Sequence, residues 1–248
     1  MRDFEDSTLW RVSAFERMRH ETGTSGFHRS SGPTLLSTDL MSELGQLDRT
    51  QGGGDVLEVT AACLRQREAA LLYLRYGEYV WPLTLFPQPM LYHSPRDLTD
   101  AARPAMASIE LLEIEPPGVR PPGEWLRTQD EHAAHYRPML PMLWLLALYG
   151  PRRRVLGEIG GTAAYRVVRA PPSDLGAPGA LGASAERLRR ETASLRGIAS
   201  WPGMDVERAA RLVNALYLAG SLMVTRTAAA ARPEPGLLRR LFGSRPRQ

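Results

Sequence analysis

Four stretches rich in glycine and proline interrupt this chain, and they limit it to helices and strands of modest length. They lie at residues 22–33, 52–54, 116–123 and 170–182. Glycine and proline disfavour the interior of a helix or of a central strand. The chain has 248 residues, 43% of them hydrophobic, which suits one large domain or two small ones around a packed core.

These interruptions predict four consecutive parts of an α+β protein. We expect a small, mostly antiparallel sheet domain followed by a second α+β domain. The expected parts are a flexible N-terminal segment (1–33), a small α/β sheet domain (34–123), a domain with a helix, a β-hairpin and further helices (124–226), and a basic tail (227–248).

Apolar and polar residues alternate in the second part, a pattern that predicts strands. Pro82 and Pro87 predict that residues 81–87 form an edge strand or leave the sheet early. In the third part we expect a helix over about 138–148 and a hairpin turned at Gly160 and Gly161. The predicted strands are 56–62, 70–75, 79–86, 90–93 and 108–115, with 155–159 and 163–168 in the hairpin.

The basic residues are unusual, because all 31 of the combined Lys and Arg count are arginine. Mechanisms that need a lysine amine, such as Schiff-base chemistry or a P-loop, are therefore excluded. Arginine without lysine, together with abundant alanine, glycine and proline, is typical of a bacterial genome rich in G and C. The N-terminus is polar, and the longest apolar run, residues 139–149, is too short to span a bilayer. We expect a cytoplasmic protein.

The residues offer no pattern typical of catalysis. Cys63 is the one cysteine, and its apolar neighbours predict a buried structural thiol. His132 and His135 could share one side of a helix, with His93 as a third ligand, but surface histidines are favoured. We therefore expect no catalytic residue, no cofactor and no metal site.

The C-terminal third carries the clearest local pattern. Ser184 is a candidate N-cap for a helix with an apolar stripe, and a short helix is predicted over 194–200. A longer helix is predicted over 205–219, ending at Gly220, and a strand over 221–226 follows.

Residues 184–226 resemble the winged helix-turn-helix of bacterial regulators. Gly203 and Gly220 bracket the long helix, and Arg211 lies where such helices often carry a basic residue. The resemblance implies a winged-helix-like module that binds either DNA or a protein, with the outward face of the long helix in the major groove if DNA is bound. The candidate nucleic-acid or partner contacts are Arg187, Arg190, Arg208, Arg211 and Asn214.

Positive charge gathers at the C-terminal end. Residues 183–248 contain 12 arginines and five acidic residues, a net charge of +7, so residues 1–182 carry −3 of the total of +4. The tail combines apolar and basic side chains, and it is a candidate for docking to a partner groove or weakly to an anionic membrane surface. The candidate docking residues are Leu238, Arg239, Arg240, Leu241 and Phe242.

Three functional hypotheses follow. The first is a non-enzymatic bacterial regulatory or adaptor protein that acts through protein–protein contacts. The second is a DNA-binding transcriptional regulator that uses the C-terminal third. The third is an enzyme whose site is assembled from residues far apart in sequence.

Overall fold

The computed structural model describes residues 9–22, 35–51, 54–101, 103–123, 131–171 and 175–226. These residues form helices and two antiparallel sheets, which confirms the α+β class. In chain order the helices are α1 (Val12–Thr22), α2 (Thr38–Gln51), α3 (Val56–Gln66), α4 (Arg103–Met106), α5 (Met139–Tyr149), α6 (Ala180–Arg190), α7 (Leu195–Ala199) and α8 (Val206–Leu218).

The larger sheet has six strands and the smaller sheet has three. In the larger sheet the order is β5-β2-β3-β4-β6, and β1 also pairs with β3. In the smaller sheet the order is β8-β7-β9. The strands are β1 (Trp10–Arg11), β2 (Ala70–Tyr76), β3 (Tyr79–Phe86), β4 (Leu91–His93), β5 (Glu110–Glu115), β6 (Tyr136–Pro138), β7 (Ala164–Val167), β8 (Ala193–Ser194) and β9 (Leu222–Thr225).

Residues 56–62 form the first part of helix α3, so the strand predicted there is wrong. Asp55 starts the helix, because its side chain accepts hydrogen bonds from the backbone N–H groups of Leu57 and Glu58. All residues from 56 to 63 are buried. Such a short apolar run fits a buried strand as well as a buried helix, so periodicity could not distinguish the two.

Pro82 lies in an inner strand, contrary to the expected edge position. On one side β3 pairs with β2, and on the other it pairs with β1 at Val80 and with β4 from Thr84 onward. The Pro82 carbonyl accepts a hydrogen bond from Ser94 Oγ at 3.0 Å, so it points toward the gap between β1 and β4. The nitrogen of the same residue points to that side too, and no bond to β2 is lost.

The predicted hairpin is not formed, because residues 157–159 make a short 3₁₀ turn instead of a strand. β7 pairs with β8 and β9. Ser184 is also not an N-cap, since it is buried inside α6, which begins at Ala180.

One continuous core joins the N-terminal and C-terminal halves. On one face of the larger sheet, Phe15 of α1 packs against Tyr73 of β2. The opposite face packs against several helices and forms the main core with them. This core includes Val59 of α3, Leu143 of α5 and Leu212 of α8. The domain boundary expected between residues 123 and 124 lies, along the chain, between β5 and β6. Because both strands belong to the larger sheet, and because one core includes residues from both sides of this boundary, the two halves are not separate in the core.

Residues 9–22 are part of this fold, although the segment 1–33 was expected to be flexible. Trp10 and Arg11 pair with β3, and the Phe15 side chain is only 1% exposed. Its ring centroid lies 4.9 Å from that of Tyr73. This aromatic contact fixes α1 on the sheet.

We expect Phe15→Ala to lower the free energy of unfolding by about 3 kcal/mol, because it removes a buried aromatic side chain and leaves a cavity. Glu16→Ala is the matched control, since Glu16 is exposed and its replacement is expected to cost less than about 0.5 kcal/mol. Urea denaturation measures both values. Equal stability of the two variants would contradict the packing of α1.

Candidate functional site

Arg211 of α8 points into the protein, so its expected place on an outward face is wrong. Its side chain is 13% exposed. One guanidinium nitrogen, Nη1, donates to the carbonyls of Leu148 at 2.7 Å and Gly150 at 2.9 Å. These carbonyls lie at the C-terminal end of α5, where a helix has unpaired acceptors and a partial negative charge. Arg211 therefore caps α5.

Asn214 of α8 is fully buried, so the prediction that it contacts DNA or a partner is also wrong. Its Oδ1 accepts a hydrogen bond from the Leu156 N–H at 2.9 Å, and its Nδ2 donates to the Arg154 carbonyl at 3.0 Å. The side-chain amide thus satisfies the backbone of residues 154–156 in place of a neighbouring strand. The backbone of Arg154 and Leu156 is therefore bonded to a side chain and not to the partner strand that a hairpin requires.

The other three candidate contacts lie at the surface. Arg187 stacks over Trp201, with its guanidinium carbon 4.5 Å from the ring centroid, and it pairs with Glu191. Arg190 and Arg208 are exposed and have no side-chain partner among the described residues. The five predicted residues are therefore divided between core and surface. The five tail candidates, Leu238 to Phe242, lie outside the described residues.

Arg152 is a buried cation that sequence reasoning missed. Its side chain is 5% exposed, and its guanidinium lies 2.6 Å from Glu58 Oε1 and 2.5 Å from Asp55 Oδ2. It also donates to the carbonyls of Arg154 at 2.8 Å and Val155 at 2.5 Å. Because Arg152 begins a run of three arginines, the sequence resembles an ordinary solvated charge cluster and gives no sign of burial.

Glu58 completes this contact from the side of α3. Its side chain is 2% exposed, and besides Arg152 it accepts a hydrogen bond from the Gly157 N–H at 2.7 Å. Side chains from α3 and α8 thus bind the same backbone segment, residues 150–160. We call these residues the connecting segment.

A second ion-pair network lies at the other end of α3. Arg65 pairs with Glu43 of α2, and its Nη1 lies 2.5 Å from Glu158 Oε1 of the connecting segment. Burial tends to raise the pKa of Glu43, but hydrogen bonds from Gln66 and Arg65 outweigh it and hold this pKa below its usual value. The connecting segment is therefore attached to both ends of α3.

Beside this network is an open groove of about 720 Å³, between the ends of α3 and α8 and the turn after β3. Arg67 and Met90 line it, and both have left-handed backbones, with φ of 52° and 54°. Such conformations are costly outside glycine. Burial and the neighbouring Glu158 raise the pKa of Tyr217, which also lines the groove, to about 12. We name this feature the α3–α8 groove.

The described residues hold no group of three His, Cys, Asp or Glu side chains that could bind a metal ion. The rings of His93 and His135 are neighbours, with centroids 5.7 Å apart, and the His132 side chain lies outside the described residues. Cys63 is fully buried, and burial raises the pKa of its thiol to about 12. A reactive thiolate is therefore disfavoured.

A scan against protein-family models and searches of curated proteins and of solved structures found no match. No helix in the described ranges is long and apolar enough to cross a bilayer.

We expect Arg152→Met to lower the free energy of unfolding by about 3–5 kcal/mol, because it leaves two carboxylates without their buried counter-charge. Arg153→Met is the matched control: the Arg153 side chain is 74% exposed, so its replacement is expected to cost less than about 0.5 kcal/mol. Chemical denaturation of both variants is the measurement. A cost below about 1 kcal/mol for Arg152→Met would mean that the ion pair is not structural.

Proposed function

We propose that this chain is a non-enzymatic bacterial regulatory or adaptor protein that acts through protein–protein contacts. One observation carries the proposal: in the winged-helix-like segment, residues 184–226, two polar side chains of the longest helix bind the interior of the protein. Arg211 caps α5, and Asn214 binds the connecting segment. The helix that would enter the major groove of DNA instead joins the two halves of the chain.

Exposing this face to DNA would break the bonds that hold the connecting segment. Hydrogen bonds to a charged donor contribute about 1.5–3 kcal/mol each, and each buried group left without a partner costs about 1–3 kcal/mol. A good side-chain contact with a base discriminates by about 1–3 kcal/mol. New bonds to DNA would therefore roughly offset the internal bonds that are broken and leave no net stabilisation, which disfavours DNA binding through this face.

The use of the buried charged groups also supports a role without catalysis. Arg152 binds Asp55 and Glu58, and Arg65 binds Glu43 and Glu158. Perturbed or buried charges often mark active sites, but structural ion-pair networks produce them too. Here each pair joins two elements of the fold, so the structural explanation is sufficient.

The DNA-binding alternative is tested through the exposed arginines, because Arg211→Ala would disturb the fold. Fluorescence polarisation of a labelled random duplex, at about 50 and 200 mM salt, measures binding. We expect weak binding that the triple variant Arg190→Ala/Arg196→Ala/Arg208→Ala leaves within about twofold. All three side chains are exposed.

Tight binding that falls at least about 10³-fold between the two salt concentrations would indicate several phosphate contacts. If the triple variant abolished that binding, the adaptor proposal would be overturned in favour of a DNA-binding regulator.

A further inference from the structure

A second groove lies on the opposite end of α3 from the α3–α8 groove. It measures about 380 Å³ and is formed by α2, the start of α3 and β5, so we call it the α2–β5 groove. Met41 lines the groove and is 53% exposed. Leu35, which precedes the first lining residue in the chain, is 81% exposed. These side chains extend the apolar surface of the groove, and contiguous apolar surface is typical of interaction sites. The apolar lining includes Met41, Leu44, Leu47, Leu111, Leu112 and Ile114.

The groove runs beside an edge of the larger sheet. β5 pairs only with β2 among the described strands. An edge strand offers unpaired backbone N–H and C=O groups, and an extended peptide can add to it. The groove and the edge therefore suit a peptide segment better than a rounded small molecule.

Negative charge sets the chemistry of the occupant. The charged lining residues are Asp48, Asp55, Glu58 and Glu113, and no basic residue lines the groove in the described part of the chain. Arg152 pairs with both Asp55 and Glu58, so it offsets one of their two negative charges.

Glu113 is only half satisfied. Its Oε1 lies 2.7 Å from Arg19, but its Oε2 is buried and has no hydrogen-bond partner among the described residues. Buried polar atoms normally have a partner. The Glu113 carboxylate and exposed Asp48 both line the groove and attract a positively charged segment.

We propose that the α2–β5 groove binds the C-terminal segment of the same chain, residues 235–247. This segment has the matching chemistry, with apolar side chains for the groove and arginines for Asp48 and Glu113. Its apolar residues are Leu237, Leu238, Leu241 and Phe242, and its basic residues are Arg239, Arg240, Arg245 and Arg247.

The last described residue, Arg226, contacts the connecting segment, which is attached to both ends of α3. Arg226 donates to the Glu158 carbonyl at 2.9 Å, and the adjacent Gly157 N–H donates to Glu58 Oε1 at 2.7 Å. Glu58 lines the groove. Residues 227–236 can extend over roughly 33 Å. This is about twice the length of α3, which has 11 residues at about 1.5 Å each, so the segment that follows can reach the groove at the far end of α3. The docked segment covers the apolar groove, so an external partner of this groove must first displace it. This docking does not depend on the adaptor function.

Disulfide trapping in the full-length chain tests the proposal. Cys63 is buried with a raised thiol pKa, so it does not interfere with introduced cysteines. The test variant is Met41→Cys/Phe242→Cys. The matched control is Met223→Cys/Phe242→Cys, because Met223 is 44% exposed and lies on β9. Residue 223 is also much nearer to residue 242 along the chain than residue 41 is. If the tail were not docked, the control pair would therefore form its disulfide faster than the test pair.

We expect the test pair to form an intramolecular disulfide at least about tenfold faster than the control pair, because docking raises the effective concentration of the two thiols. Adding Asp48→Arg, or Arg239→Glu/Arg240→Glu, should slow the test pair severalfold. Non-reducing electrophoresis separates the intramolecular product from a dimer, and circular dichroism confirms that each variant is folded.

Three results would overturn the proposal. The control pair could react as fast as the test pair. The test pair could form only dimers, which would make a second copy of the chain the occupant. Finally, Met41→Cys/Phe27→Cys could react faster than the test pair, which would assign the groove to residues 23–34.

Discussion

The position of α3 relative to the connecting segment depends on one buried group, the guanidinium of Arg152. A buried charge is tolerated only when it is paired and its other donors are satisfied, and Arg152 meets both conditions through Asp55, Glu58 and two backbone carbonyls. Asp55 is also the N-cap of α3. The same carboxylate therefore starts α3 and holds the connecting segment against it, so helix position and segment path are fixed together.

The connecting segment in turn occupies polar side chains of α8. Among the described residues no strand lies beside its backbone. The Asn214 amide bonds the backbone of Arg154 and Leu156, and the Glu58 carboxylate accepts from the Gly157 N–H. With Arg211 on the last carbonyls of α5, α8 is surrounded by protein along most of its length. The continuous core that includes α3, α5 and α8 is the packing counterpart of these polar contacts. Arg211 and Asn214 of α8 are therefore engaged inside the protein.

Local signals were sufficient for much of this fold. The helices that begin near Ser194 and Asp205 and the glycine that ends the second one, Gly220, were recognisable from residue type and spacing, and alternation located β2 to β5. The one N-cap predicted, Ser184, was wrong. The sequence could not distinguish α3 from a strand, because every residue over 56–63 is buried. The direction of Asn214 and the burial of Arg152 depend on segments far away in the chain, which no local pattern reports. The α2–β5 groove could not be predicted either, because its lining residues come from segments that are far apart in the chain. The sequence showed the acidic residues of β5 and the basic tail, but not that a groove lies beside β5.

Native-state hydrogen exchange in increasing urea tests most directly whether the two halves share one cooperative core. If the connecting segment joins them as described, the slowest amides of α3, β3 and α8 exchange only by global unfolding and give the same free energy of opening. If α8 instead opens at a free energy several kcal/mol lower than α3 and β3, the C-terminal part is an independent module, and the account given for Arg152 and Asn214 is contradicted.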